Sequence, residues 1–377
     1  MPAPPSRGHP RVPRCETMTS KNSKAIHRVA AVLAFVVPAC SSGSRPATRQ
    51  PSSPSPAVSS PAATATSSPI PPAVPPNRAV GLPGGCSGGD PPAQNVDRAL
   101  SSSERGIAFA RLLAEGQKPG IYVAGRDGSD VRPFIPCGVS ARGPVWSPSG
   151  DRLAFQLGDG QATEVYLVNK EGSGMRRLTR NDMVESALAW SPDGKRLAFI
   201  GQPKGTANQQ QIHVVDVAGG TPRRLSAALD LTPSFSPDGA RIIFVRIDPS
   251  TYNSAVWEMR IDGSDARRIL PGYENVSHPQ YSPDGRRILL SDGKTLFHVA
   301  TDGSSKRTIA TLTADVRGGI DDPRPAWSSD GALVVFNQRR AAATNRSDIW
   351  IVGADGSGLR RLLESPGLDT DPSWQAG

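Results

Sequence analysis

Between residues 105 and 377 the apolar positions fall in short runs cut by Gly, Pro, Asp and Ser, the pattern of β-strands joined by tight turns. The runs recur. An aromatic residue followed by Ser-Pro-Asp-Gly, or a close variant, stands at residues 146–150, 190–194, 235–239, 281–285 and 327–331. A truncated copy, Asp371-Pro372-Ser373-Trp374, ends the series. Successive aromatics (Trp146, Trp190, Phe235, Tyr281, Trp327, Trp374) lie 44, 45, 46, 46 and 47 residues apart.

Each repeat reads as four strands. The first ends at the anchor aromatic, and Ser-Pro-Asp-Gly then turns the chain, because proline presets φ and Asp-Gly tolerates positive φ. The second strand is apolar and ends in a ring at Phe109, Phe155, Phe199, Phe244 and Phe336, with Leu290 in the remaining copy. The third carries a ring at Tyr122, Tyr166, His213, Trp257, Phe297 and Trp350, and the fourth a basic pair such as Arg223-Arg224 or Arg267-Arg268. Four strands per unit of this length predict an all-β, six-bladed β-propeller whose rings fill the layers between blades. The arginine pairs fall on the outermost strand, where charge discourages edge-to-edge association. The first unit lacks a first strand and the last copy has nothing else, so the strand around Trp374 is expected to close the first blade. A rival first strand around Ala99-Leu100 lacks the Pro-Asp-Gly turn.

The repeats resemble the TolB-type propeller family, whose hallmark is W-S-P-D-G, an apolar strand and a later D-G-S turn. The resemblance covers about residues 105–376 and implies an extracytoplasmic propeller used for protein interaction. That family carries an α/β domain ahead of its propeller, whereas residues 41–100 here are too rich in Pro and Ser to form one. Its soluble periplasmic members also lack the anchor expected below.

Lys21, Lys24 and Arg28 precede an apolar run ending at Ala39, an export signal over residues 1–39 and too short to span a bilayer. Met18 is an alternative start. Val37-Pro38-Ala39-Cys40 resembles the lipobox of bacterial lipoproteins, which implies acylation of Cys40; Pro38 departs from the pattern, and ordinary cleavage after Ala39 is the alternative. Residues 40–104 read as a disordered Pro/Ser/Gly-rich tether that stands the propeller, residues 105–377, off a membrane. The expected location is the cell envelope, outside the cytoplasm. With Cys40 acylated, Cys86 and Cys137 remain as an even pair able to form a disulfide in an oxidising compartment.

The formal charge of +9 suggests nucleic acid at first sight. Six basic residues and one acid, Glu16, lie in residues 1–40, so five of those nine charges leave with the signal. The rest recur once per repeat without aromatic interleaving, and no nucleic-acid partner is expected. The cysteines show no C-x-x-C spacing, and no metal or cofactor is expected. Gly85-Cys86-Ser87-Gly88-Gly89 matches the letters of a nucleophile elbow without a strand before it or a hydrolase domain around it.

Candidate binding residues lie at the entrances of the first strands. Three positions before each anchor stand Gly143, Ala187, Thr232, His278, Arg324 and Asp371; five before stand Ala141, Glu185, Asp230, Val276, Asp322 and Asp369. Around one channel mouth, Glu185, Asp230, Asp322, Asp369 and Asp371 would make an acidic funnel with His278 and Arg324 set into it. The alternative is that an Asp near this proline is part of each repeat's own turn chemistry. His213 and His298 read as core. The function expected is a monomeric scaffold that binds a protein, peptide or envelope ligand without catalysis and touches the membrane only through its lipid. The alternatives are a propeller lyase or oxidoreductase acting at the channel mouth, or a sensory ectodomain.

Overall fold

The computed structural model describes residues 106–113, 117–135, 140–158, 162–206, 208–312, 323–340 and 346–375. The expected signal, the tether, Cys40, Cys86, Cys137 and Asp322 lie outside them. All regular structure among the described residues is β.

Turn chemistry cuts each repeat into strands. Ser191 Oγ donates to Asp193 Oδ1 at 2.6 Å and accepts the Arg196 N–H at 2.9 Å, while the Lys195 N–H donates to the same carboxylate at 3.0 Å. Gly194 closes the turn at φ 67°, where a side chain would be strained. The same bonds recur around Ser236, Ser282 and Ser328. Where Ser149 replaces the aspartate, Asp151 accepts from Ser147 Oγ at 2.8 Å. Each serine hydroxyl holds its partner carboxyl (Asp193, Asp238, Asp284, Asp330) below the usual range. These acids are turn fasteners.

The strands so delimited pair antiparallel in fours, and single parallel bridges, Thr163 to Val184 and Ser347 to Leu368, continue the sheet from the second unit into the third and from the sixth into the first. The first unit joins β1 (Gly106–Leu112), β2 (Gly120–Gly125) and β3 (Arg132–Ile135) to the last strand of the chain, β24 (Leu368–Trp374). The second comprises β4 (Ala141–Trp146), β5 (Arg152–Gly158), β6 (Thr163–Asn169) and β7 (Arg176–Arg177). The third comprises β8 (Met183–Trp190), β9 (Arg196–Pro203), β10 (Gln211–Asp216) and β11 (Arg223–Arg224), and the fourth β12 (Asp230–Phe235), β13 (Arg241–Ile247), β14 (Ser254–Arg260) and β15 (Arg267–Arg268). The fifth is β16 (Ser277–Tyr281), β17 (Arg287–Ser291), β18 (Thr295–Ala300) and β19 (Arg307–Thr311). The sixth is β20 (Ala326–Trp327), β21 (Leu333–Arg339), β22 (Ser347–Gly353) and β23 (Arg360–Leu363). β24 runs antiparallel to β1, pairing Ile107 with Trp374 and Leu112 with Leu368.

The two ring positions of each repeat are direct cross-strand partners: Phe109 with Tyr122, Phe155 with Tyr166, Phe199 with His213, Phe244 with Trp257, Leu290 with Phe297 and Phe336 with Trp350. The second-strand member is fully buried in every unit. Six apolar clusters each join two successive units, and one of them packs Val335, Ile349 and Ile351 of the sixth against Ile107, Phe109 and Trp374 of the first. Each buried large side chain contributes about 1.5–3 kcal/mol. Trp190 Nε1 donates to the Val145 carbonyl at 2.9 Å and Trp374 Nε1 to that of Ala326 at 3.1 Å, so the anchor rings also tie units by hydrogen bonds. The basic pairs contribute similarly: Arg223 donates to the Ile261 and Asp262 carbonyls of the next unit, each at 2.9 Å.

Candidate functional site

A bulge repeated in the first strands builds the site. Pairing slips between Arg142 and Val145, Ser186 and Ala189, Leu231 and Ser234, and Ser277 and Gln280, and β24 shows the same irregularity against β1. At each slip the residue three before the anchor is left-handed: Gly143 (φ 54°), Ala187 (51°), Thr232 (50°), His278 (51°) and Asp371 (55°). Four of the five precede proline, which lacks the N–H that a regular ladder needs and is accommodated at a bulge.

The bulged residues converge. Gly143, Ala187, Thr232, His278 and Asp371, joined by Arg324 from the sixth repeat, line one cavity of about 120 Å³. Arg324 Nη1 lies 2.6 Å from Asp371 Oδ1 in an ion pair across it, and the Arg324 backbone N–H donates to Asn337 Oδ1 at 2.9 Å. A second cavity of about 240 Å³ shares Arg324, Asp371 and Gln156 with the first and adds Arg142, Ser186 and Thr370. Gln156 is only 7% exposed and its Nε2 has no hydrogen-bond partner among the described residues. Gly143 makes room for it: a Cβ there would lie 2.7 Å from Gln156 Nε2.

The acids five before the anchors lie elsewhere. Asp369, fully buried, receives Arg111 Nε and Nη2 at 2.8 Å each and Ser365 Oγ at 2.8 Å. Asp230, also fully buried, receives Arg246 at 2.7 and 2.8 Å. In both pairs the arginine sits two residues beyond the second-strand Phe and over the paired rings, with Arg246 4.4 Å from the Trp257 centroid and Arg111 5.0 Å from that of Phe109. In the second unit the same register holds Ala141 opposite Leu157, an apolar pair. In the third it holds Glu185 opposite Gly201, with no cation. Glu185 accepts instead from the Val165 N–H at 2.8 Å, Asn181 Nδ2 at 2.7 Å and the Thr179 hydroxyl, and burial pushes its carboxyl up to about 7. Asp230 and Asp369 therefore pair with cross-strand arginines and Glu185 with donors of the preceding unit and its connection, all buried, and the expected funnel reduces among the described residues to Asp371 with His278 and Arg324.

His213 donates from Nδ1 to the Gln211 carbonyl at 3.0 Å and stacks on Phe199, and His298 donates from Nε2 to the Ala354 carbonyl at 3.0 Å. Burial lowers the pKa of both, so both are core groups. Among the described residues no three His, Cys, Asp or Glu side chains are grouped to hold a metal ion. Sequence reasoning missed Arg142 and Gln156. Arg142 stands four before its anchor, a position that the bulge brings to the cavity, and Gln156 is its cross-strand partner.

Comparison with known proteins places this architecture. Residues 96–319, more than half of the chain, match the family model described as the TolB beta propeller domain. The Tol-Pal system protein TolB of Anaeromyxobacter dehalogenans is 30% identical over 138 residues, 36% of this chain and 29% of that protein, so the match spans less than a third of that relative's length. Among solved structures, TolB from Acinetobacter baumannii aligns with a TM-score of 0.61 at 19% identity over 74% of this chain and 68% of that one. A chain of the nidogen/laminin complex aligns with a TM-score of 0.53 at 12% identity over 72% and 98% of the two. At such identities these two likenesses speak for the fold alone. By the family match, carried by the recurring W-S-P-D-G units, this chain belongs to the TolB β-propeller domain family.

Proposed function

We propose that this protein is an exported, lipid-anchored binding module that holds a protein or peptide of the cell envelope at the axial cavity of a six-bladed propeller. Residues 1–39 direct export, Cys40 carries the lipid, residues 40–104 are the tether, and residues 105–377 are the propeller, with β24 closing the first blade. Support for six blades comes from the six four-stranded units and the six clusters between them, one of which joins last to first. A Cys86–Cys137 disulfide would staple the tether to the first blade. An envelope location is supported by kinship with a Tol-Pal system protein; the partners of that relative are not carried over, given the short match.

The observation that carries the docking reading is the convergence of Thr232, His278, Arg324 and Asp371 on one cavity, each from a different unit. Binding rather than catalysis fits the chemistry of the acids, since Asp230 and Asp369 are engaged by arginines and the turn aspartates by serines. Asp322, two residues before Arg324, joins the proposed site from outside the described residues. Crosslinking on intact cells tests the reading. The parent should give a discrete partner adduct, and His278→Asn combined with Arg324→Gln should lose it while the unfolding midpoint moves little, because asparagine tolerates the left-handed backbone of residue 278. Persistence of the adduct in the double variant would reject the axial site.

A further inference from the structure

One position of the third strand sets the fifth unit apart. It faces the first arginine of the fourth strand and holds Leu167 opposite Arg176, Val214 opposite Arg223, Glu258 opposite Arg267 and His298 opposite Arg307. Where it is apolar, the arginine reaches a carbonyl just beyond the third strand of the next unit, Arg176 at Val217 and Arg223 at Ile261. In the fourth unit Glu258 gathers cations instead, its Oε2 accepting from Arg241 Nη1 at 3.2 Å and Arg267 Nη2 at 3.1 Å. The fifth unit keeps both arginines in the same register, Arg287 on β17 and Arg307 on β19, but has an imidazole where the carboxylate stood. His298 also occupies the carbonyl that Arg307 would otherwise reach, because its Nε2 donates to Ala354 at 3.0 Å. Arg307 is exposed, and neither it nor Arg287 makes a side-chain hydrogen bond or ion pair among the described residues; Arg287 lies over Trp327, 5.1 Å from the ring centroid.

Arg287, His298 and Arg307 line one cleft of about 450 Å³ between the fifth and sixth units. The carboxylate of Asp355 shares that lining, and Ser357 holds its Oδ1 with the N–H at 2.9 Å and the hydroxyl at 2.6 Å. Ser357 first, and Arg307 least, keep this carboxyl below its usual range. His298 is 6% exposed, and with the proton on Nε2 its Nδ1 is a buried acceptor that has no partner among the described residues. Burial first lowers the pKa of the ring, against the Ala354 hydrogen bond, and the two arginines lower it further, so the ring stays neutral. An acceptor left unmade away from water is costly.

We propose that this cleft binds a phosphate group, supplied as inorganic phosphate or as a phosphate monoester, with Arg287 and Arg307 gathered on it as Arg241 and Arg267 are gathered on Glu258. Guanidinium donors fit phosphate oxygens as they fit carboxylate ones. The imidazole chooses between anions. A neutral ring with a bare Nδ1 needs a proton from its ligand, which a P–OH brings and an ionised carboxylate or sulfate does not. The volume leaves room for the organic part of an ester, since about 450 Å³ falls within the ~300–1,000 Å³ of small-molecule sites. The cleft shares no lining residue with the two axial cavities, so the inference stands apart from the docking reading.

The test is calorimetric titration of the full chain with inorganic phosphate, glycerol phosphate and sulfate at constant ionic strength and about pH 6, where a monoester still carries a P–OH. Inorganic phosphate should bind saturably and at least ~10-fold more tightly than sulfate, the worth of one hydrogen bond to a charged group. Glycerol phosphate that binds as well assigns the site to monoesters; its failure beside bound phosphate assigns it to the free ion. Arg307→Gln, at an exposed position, should weaken phosphate by ~10-fold or more, as loss of a charge-assisted contact does. His298→Glu recreates the arrangement of the fourth unit and should abolish binding, because the new carboxylate takes both arginines. Arg223→Gln, which removes an arginine already engaged by carbonyls, should leave binding unchanged. No saturable heat from phosphate at millimolar concentration, sulfate bound as tightly as phosphate, or equal effects of Arg307→Gln and Arg223→Gln would overturn the proposal. The phosphate–sulfate comparison needs no variant to fold.

Discussion

Glu185 offers the sharpest test of how the sheets handle buried charge. It occupies the register position where Asp230 meets Arg246, but Gly201 faces it in place of an arginine. A Cβ on Gly201 would lie 2.7 Å from Met183 Sδ and 2.9 Å from His213 Nδ1, so the crowded face leaves no room for a cation. Burial raises the carboxyl from 4.5 to about 7, opposed by the hydrogen bonds of Thr179, Asn181 and Val165. At about 1.36 kcal/mol per pKa unit, that difference corresponds to roughly 3 kcal/mol. A carboxyl whose folded pKa is raised binds more protons folded than unfolded between the two values. Its contribution is therefore fully present below about 4.5 and lost as the pH rises through about 7. Glu185→Gln keeps the group neutral, with Nε2 placed to donate to Thr179 Oγ1 where the acid proton would sit. Urea unfolding of parent and variant at intervals from pH 4.5 to 8 reads the effect as a difference, which cancels the other carboxylates. The two should match near pH 4.5 and diverge with rising pH, the variant ending about 1–3 kcal/mol more stable. Parallel curves across that range would refute the argument and mean that the three donors hold the carboxylate ionised in the fold.

Three further outcomes are expected. Arg111→Met and Asp369→Leu should each cost about 3–5 kcal/mol by leaving a buried charge unpaired, while the double variant recovers most of the loss; costs that simply add would mean the pair does not couple β1 to β24. Deleting residues 368–377 removes β24 and should lower the melting transition of the whole domain, and an unchanged transition would remove β24 from the closing role. Cys40→Ser should abolish metabolic palmitate labelling and release the chain from the membrane fraction, whereas retention of both would place the anchor elsewhere.

Much of the fold was legible because the repeat places chemically special residues at fixed offsets. Ser-Pro-Asp-Gly is a turn by its own hydrogen bonds, and rings aligned between repeats turned out to be cross-strand partners, as with Phe109 and Tyr122. The six cavity positions three before each anchor were also readable by alignment. The fate of the acids two residues earlier was not. Whether Asp369 faces a channel or an arginine depends on Arg111, 258 residues away, and no local pattern announces that pairing. Once the register is known the signal is plain: acid opposite arginine in two units, Glu opposite Gly in another, Ala opposite Leu in a fourth. Arg142 and Gln156 were hidden for a related reason. A bulge breaks the alternation that assigns strand residues to faces, so counting by twos misplaces the side chains at the slip.

Placement of a photo-reactive lysine analogue tests the central claim of axial docking most directly. Position 324 lines both cavities and its side chain is 37% exposed; position 268, on an outermost strand, is 44% exposed and serves as the control. Irradiation of intact cells should yield a discrete protein or peptide adduct from position 324 and none from position 268. An adduct from position 268 alone, or equal adducts from both, would contradict docking at the axial cavity.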